Sequence, residues 1–173
     1  MSKVLPTLAD EGALDRGERG AVTAVRRRAL IRRWVQDYSF LATNGSPRHY
    51  IAPRGLARTL DRLADLPAPV TLTGSAAARR WLADGATSVV PLRLLALYAD
   101  DLESLADALG LIPADPAIAN AVIAIPQDRR VLTDHLAPAS LVLADLLTLS
   151  GRADAEAEQF MDTLARTDPA WGE

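Results

Sequence analysis

The sequence contains no cysteine, only two histidines and no long uninterrupted apolar segment. Without cysteine, a disulfide framework and a thiolate metal site are excluded. His49 and His135 are too few for a usual zinc site unless carboxylates supply most of the ligands. The longest apolar runs fall short of the roughly 18 residues that a membrane span needs, and the N-terminus lacks the apolar core of a signal peptide. We therefore expect a cytoplasmic chain with no cofactor, no metal and no membrane partner.

Lysine is almost absent, since Lys3 is the only one and the other eighteen cations are arginines. The charges are unevenly distributed. Residues 1–58 carry eleven cations and five anions, a net charge of +6, whereas the remaining 115 residues carry eight cations and seventeen anions, a net charge of −9. This uneven distribution predicts that the basic segment, residues 1–58, and the acidic remainder each bind partners of the opposite charge.

The length of 173 residues suits one sizeable domain, alone or with a small appendage, and 49% apolar residues are enough for a packed core. Beyond residue 67, predicted strands alternate with predicted helices, which is typical of an α/β or α+β sheet domain. The strands are expected at 70–72, 92–98, 121–125 and 130–133. The helices are expected at 75–82, 102–109, 138–147 and 153–164.

The first 25 residues have a different pattern. Residues 2–11 predict a short helix that Gly12 ends, and residues 13–25 predict a β-hairpin with a glycine-bounded polar tip. A helix followed by a basic-tipped hairpin is the order that ends a winged helix, in which the recognition helix precedes the wing. The alternative is a helix and hairpin that serve only for packing.

Between these two parts, residues 26–66 predict arginine-rich connecting helices. The helical period runs from Arg26 to about Thr43, and a turn is expected at 44–47. Residues 50–53 are expected to be extended, and a second helix opens at Pro53. The expected organisation is therefore a partial winged helix over 1–25, connecting helices over 26–66, and a mixed α/β domain with flanking helices over 67–173.

Several short motifs resemble those of a bacterial family. They are Trp34-Val35-Gln36-Asp37-Tyr38 with Asn44, Ala52-Pro53-Arg54-Gly55, Leu72-Thr73-Gly74-Ser75-Ala76-Ala77, Leu97-Tyr98-Ala99-Asp100-Asp101, Asp145-Leu146-Leu147, Gly151-Arg152 and Ala155-Glu156-Ala157-Glu158. Together they resemble the proteins described as AbiEi-type antitoxins or winged-helix transcriptional regulators. The likeness spans nearly the whole chain, although each motif is short.

The resemblance implies an N-terminal winged helix before a mixed α/β domain, DNA binding and autorepression of an operon. For true type IV antitoxins it also implies opposition to a nucleotidyltransferase-like toxin. The first two helices of a winged helix have no counterpart in this sequence, so we expect only its recognition helix and wing.

The residues expected to contact DNA are the basic and polar ones of the N-terminal part. The arginines of the helix after Arg26 would neutralise phosphates, the hairpin would extend the contact, and the first helix would approach the bases. The predicted DNA-binding residues are Lys3, Thr7, Arg16, Arg19, Arg28, Arg32, Arg33, Arg48 and Arg54. The alternative for the arginine-rich helix is a solvated face whose apolar side packs inward.

No catalytic centre is predicted, and the chain is expected not to be an enzyme. Thr73-Gly74-Ser75 resembles the turn that opens nucleotidyltransferase folds, but Asp100 and Asp101 are adjacent and would point to opposite faces of a strand. They more simply cap the next helix. A second alternative is a module that binds protein but not DNA, in which the acidic helices face a toxin or another basic partner and the partial winged helix is vestigial or mediates a homodimer.

Overall fold

A computed structural model describes residues 4–66, 70–82, 88–133, 135–149 and 153–172. These residues form eight α-helices and seven β-strands. The helices are α1 (Val4–Asp10), α2 (Arg27–Trp34), α3 (Phe40–Thr43), α4 (Leu56–Ala64), α5 (Gly74–Arg80), α6 (Leu102–Leu109), α7 (Ala139–Leu149) and α8 (Ala153–Ala165). The strands are β1 (Leu14–Arg16), β2 (Val22–Val25), β3 (Gly45–Ile51), β4 (Val70–Thr73), β5 (Leu95–Ala99), β6 (Ile112–Pro113) and β7 (Ala121–Ile125).

Five strands form one mixed sheet in the order β4-β5-β7-β3-β6. β5 and β7 are parallel, and the other neighbours are antiparallel. Parallel neighbours need a crossover, which α6 provides between β5 and β7. A mixed sheet flanked by helices confirms the predicted α/β class.

Apolar clusters cover both faces of the sheet, because successive side chains of its central strands belong alternately to one cluster and to the other. Along β5, Leu97 belongs to the larger cluster together with Leu105 of α6, whereas Tyr98 belongs to a smaller cluster with Phe40 of α3. Successive side chains of a strand point to opposite faces. All five residues of β5 are buried, as a central strand between two layers requires.

Two predictions for residues 26–66 are corrected by the structure. The expected turn at 44–47 is instead the start of β3, whose Arg48 pairs with Ile123 of β7. Residues 50–53 were expected to be extended, and the sheet takes a whole strand from a segment that was otherwise assigned to connecting helices. Only Tyr50 of β3 is fully buried, which explains why its sequence lacks the apolar pattern of a strand.

The single helix expected from Arg26 to Thr43 is two helices. α2 ends at Trp34, and α3 begins only at Phe40. The ring of Tyr38 still contacts that of Trp34, with centroids 5.1 Å apart, although Tyr38 has left the helix. The apolar spacing therefore predicted the contact between Trp34 and Tyr38, but it continues past Trp34, where α2 ends.

The strand expected at 130–133 is a 3₁₀ helix over Arg129–Thr133. Asp128 explains the difference, because its carboxylate accepts the backbone N–H of Arg130 at 3.0 Å and its carbonyl accepts that of Val131 at 3.1 Å. Such bonds begin a helical turn rather than a strand.

At the N-terminus, the predicted helix and hairpin are confirmed. α1 spans Val4–Asp10, and β1 pairs antiparallel with β2 in a separate two-stranded sheet. Gly12 ends the helix with a φ of 73°, a conformation that favours glycine. Among the described residues, no helix is long and apolar enough to cross a bilayer.

Candidate functional site

The hairpin carries two of the predicted DNA-binding arginines. A tight turn forms its tip, with hydrogen bonds from Gly17 N to Ala21 O (2.9 Å) and from Gly20 N to Gly17 O (2.8 Å). Arg16 donates from Nε to the carbonyl of Gly20 at 3.2 Å, and Arg19 is exposed on the turn. Neither arginine has a carboxylate partner within the described ranges.

The arginines of α2 are instead bound to the C-terminal part of the chain. Arg28 donates to Glu158 Oε2 (2.9 Å), to Asp162 Oδ1 (2.6 Å) and, from Nε, to the carbonyl of Trp171 (2.6 Å). Arg32 pairs with the other oxygen of Glu158. Only 16% of the Arg28 side chain is exposed. We call this set of contacts between α2 and α8 the arginine clasp.

Arg27 and Arg26, next to the arginine clasp in the sequence, are also paired with carboxylates. Arg27 pairs with Asp168 and lies over the Trp171 ring, 5.6 Å from its centroid. Arg26 makes a bidentate pair with Asp15 of the hairpin, at 2.9 and 3.0 Å. The arginines at positions 26, 27, 28 and 32 therefore all pair with carboxylates of their own chain.

The remaining predicted DNA-binding residues are dispersed. Arg33 pairs with Glu11 and Asp37, and Arg48 of β3, the strand next to the edge strand β6, pairs with Glu103 at 2.8 Å. Arg54 is exposed in the turn before α4, and Thr7 is exposed on α1. Lys3 lies outside the described residues. Of the nine, the structure brings Arg28 and Arg32 together on the clasp and Arg16 and Arg19 together on the hairpin.

A buried polar network begins in the loop after α2 and was not predicted as a unit. The carboxylate of Asp145 in α7 has no exposed surface and accepts three side-chain hydrogen bonds. Tyr38 donates to Oδ1 at 2.5 Å, and Thr73 and Tyr98 donate to Oδ2 at 2.5 and 2.8 Å. Asn44 donates to the hydroxyl of Tyr38 at 3.0 Å.

This network, which we call the Asp145 network, joins five segments of the chain. Its members come from the loop after α2, the end of α3, β4, β5 and α7. Asn44 closes it, because Nδ2 also donates to Phe40 O (3.0 Å) while Oδ1 accepts Gln127 N (3.1 Å). Buried polar groups are stable only when they are hydrogen-bonded, and here each has a partner.

Burial raises the pKa of Asp145 to about 6, although the hydrogen bonds from Thr73, Tyr38 and Tyr98 act to lower it. Burial and the nearby carboxylate also raise the pKa of Tyr38 and of Tyr98. Both hydroxyls therefore remain protonated at neutral pH and act as donors to the carboxylate.

Because the pKa of Asp145 is higher in the folded chain than in the unfolded one, its ionisation weakens the fold. The stability that this group adds is complete below the unfolded pKa, about 3.9, and is lost as pH rises through about 6. The difference corresponds to about 3 kcal/mol. Asp145→Asn should remove this step, so the stability difference between variant and wild type should change by that amount between about pH 4 and pH 7. Urea unfolding at several pH values measures it, and a pH-independent difference would contradict the assignment.

Thr73-Gly74-Ser75, the turn considered for nucleotidyltransferase chemistry, has structural partners. Gly74 adopts a φ of 59° at the start of α5. The hydroxyl of Ser75 donates to Glu156 Oε2 at 2.6 Å, and Ser88 donates to Oε1 at 3.1 Å. Glu156 is 6% exposed and lies 3.6 Å from Arg79 Nε. These bonds connect α5 to α8.

The two adjacent aspartates have different environments. Asp101 caps α6, accepting the backbone N–H groups of Glu103 and Ser104 at 3.1 and 3.0 Å, and these bonds lower its pKa. Asp100 lies 3.5 Å from Arg129. The cap predicted for this helix is thus present on Asp101. Within the described ranges, no cluster of three or more His, Asp or Glu side chains has the geometry to hold a metal ion.

Trp171 packs back on its own chain. It lies in a 3₁₀ helix over Pro169–Trp171, is 5% exposed, and offers its carbonyl to Arg28. Asp168 caps this turn by accepting Ala170 N at 3.0 Å. The C-terminal tryptophan is therefore an anchor of the arginine clasp.

Neither the Asp145 network nor the clasp was predicted from the sequence. Tyr38, Asn44, Thr73, Tyr98 and Asp145 all fall in motifs that carried the family resemblance, which was the available signal, but the motifs assigned them no common role. No family model, no curated protein and no solved structure matches the chain.

Proposed function

We propose that the chain is a DNA-binding regulator or antitoxin-like protein whose hairpin contacts the phosphate backbone and whose α/β domain binds a protein partner. The observation that supports the proposal is the state of the hairpin arginines. Arg16 and Arg19 are presented on a two-stranded sheet whose second strand, β2, is exposed at all four positions. Neither guanidinium is neutralised by a carboxylate within the described residues, unlike those of α2.

Phosphate contact suits these two arginines because guanidinium groups bind phosphate oxygens in bidentate geometry. The arginine clasp argues against a phosphate contact by Arg28. To bind phosphate, Arg28 would have to give up two carboxylates and a carbonyl. We therefore place the DNA contact on the hairpin and the exposed side of α1, and assign α2 a structural role.

Binding to a mixed-sequence duplex should show the salt dependence of phosphate contacts. Each contact contributes a slope of about −0.9 to the log–log plot of affinity against salt. The double variant Arg16→Ala/Arg19→Ala should bind about tenfold or more weakly at low salt, with a slope reduced in magnitude by about 2. Fluorescence anisotropy at several salt concentrations measures both quantities.

The matched control is Arg93→Ala/Arg166→Ala, which removes the same charge from two exposed arginines outside the basic segment. If general charge attraction governs binding, both double variants will lose affinity equally, and the hairpin assignment is wrong. If the folded wild-type protein binds no duplex even at low salt, the DNA-binding proposal is wrong.

A second candidate, a protein-binding module without DNA affinity, is favoured by one observation. α1 has no buried residue, and Val4 (60% exposed) and Trp34 (38% exposed) border an apolar cleft of about 450 Å³ between α1 and α2. Co-purification with the product of a neighbouring gene, in the absence of DNA binding, selects this candidate.

A further inference from the structure

A cleft at one edge of the sheet has a mainly aliphatic lining with one arginine. It lies where β4, α4 and the last turn of α5 meet the segment around His135, and its volume is about 370 Å³. The segment is held against β4 by hydrogen bonds from Leu72 N to His135 O (2.9 Å) and from Ala137 N to Leu72 O (3.0 Å). The walls of the cleft are therefore formed by β4, α4, the end of α5 and a segment that pairs with β4.

The lining of the cleft is mainly aliphatic. β4 contributes Val70 and Leu72, which share one face of the strand, and α4 contributes Leu60 and Leu63, one turn apart on the helix. Leu136 completes the wall from the paired segment. Such a lining accepts an alkyl or similar apolar group by removing it from water.

Two polar side chains line the cleft. They are Arg80, at the end of α5, and His135, and no carboxylate is among the described lining residues. Arg80 is exposed and makes no ion pair with any described residue. The arginines of α2, by contrast, are paired with carboxylates. Arg80, unpaired among the described residues, therefore presents its guanidinium to an anion at the margin of an apolar cleft.

We propose that this cleft binds a small organic anion with an aliphatic body, of the class of medium-chain carboxylates. The carboxylate pairs with the Arg80 guanidinium, which binds such groups in bidentate geometry, and the chain lies on the leucine-lined wall. The volume falls in the range of about 300–1,000 Å³ that small-molecule sites occupy. The site is separate from the hairpin, so this inference does not rest on the proposed DNA contact.

Isothermal titration calorimetry with octanoate, below its micelle concentration, tests the site, with 1-octanol as the uncharged probe. We expect saturable binding of octanoate and at least about tenfold weaker binding of octanol, since a hydrogen-bonded charge adds that much. Arg80→Gln should weaken octanoate about tenfold and leave octanol unchanged. Ala64→Phe should abolish binding of both, because Ala64 lines the cleft from an exposed position on α4.

Arg93→Gln is the matched control, because it removes an exposed arginine that is not among the residues lining the cleft. Circular dichroism and thermal unfolding confirm that each variant is folded, and Arg80→Gln decides the matter if Ala64→Phe does not fold. The proposal is overturned if wild type shows no saturable octanoate heat, or if octanol binds as tightly as octanoate. It is also overturned if Arg80→Gln binds octanoate like wild type, or if folded Ala64→Phe keeps full affinity.

Discussion

Asp145→Ala is expected to lower the free energy of unfolding by about 3 kcal/mol at neutral pH. The substitution removes the acceptor of three hydroxyl donors, from Tyr38, Thr73 and Tyr98, at a position with no exposed surface. Each buried donor left without a partner costs about 1–3 kcal/mol. The loss is partly offset, because alanine also removes the unfavourable burial of an ionised carboxylate.

Chemical denaturation of Asp145→Ala and of the control Asp61→Ala measures the effect. Asp61 is an exposed carboxylate of α4, and its removal should change stability by less than about 0.5 kcal/mol. Tyr98→Phe removes one donor of the same network, so its cost and that of Asp145→Ala should not add in the double variant. Additive costs, or an Asp145→Ala loss no larger than that of the control, would show that the network does not stabilise the fold.

Where the sequence predicted an element well, the local signals agreed with one another. α6 was predicted with its observed bounds because Asp101 caps its start and Gly110, with a φ of 67°, ends it. β7 was also predicted with its observed bounds, since five consecutive apolar residues between Asn120 and Pro126 are typical of a buried strand.

Where prediction failed, tertiary contacts decided the local structure. β3 has Pro47 and several exposed positions, and it is a strand because Arg48, His49 and Tyr50 pair with β7. α2 ends at Trp34 although the apolar spacing continues, and the hydroxyl of Tyr38 binds Asp145 instead. Neither contact is visible to local periodicity, because the partners are distant along the chain.

The same reason explains why the candidate site was only partly predictable. Charge counting identified the basic segment, and the hairpin was predicted from its glycine-bounded tip. Counting charges could not show that Arg28 meets carboxylates 130 and 134 residues further along the chain. Nor could spacing bring Tyr38 to Asp145, which is 107 residues away.

Arg28→Ala is expected to lower the free energy of unfolding by about 2 kcal/mol, the second large effect. The Arg28 side chain is 16% exposed, and its guanidinium binds Glu158, Asp162 and the carbonyl of Trp171 at once. Hydrogen bonds to charged groups are worth about 1.5–3 kcal/mol, but the exposure of both carboxylates reduces the total. Arg28→Lys should recover less than half of the loss, because one ammonium cannot span three acceptors held by a planar fork. Urea unfolding measures both, with Arg58→Ala, an exposed arginine of α4, as the control.

The DNA affinity of the Arg28→Ala protein distinguishes two roles of Arg28, a structural one and a direct contact with phosphate. If the clasp is structural, the folded variant should bind a duplex as tightly as wild type, while Arg16→Ala/Arg19→Ala binds more weakly. If phosphate displaces the carboxylates, Arg28→Ala should weaken binding, and Glu158→Gln/Asp162→Asn should strengthen it by freeing the guanidinium. The second pattern would move the DNA contact from the hairpin to α2. It would also make the acidic face of α8 an internal competitor of DNA, because both would bind the same arginine.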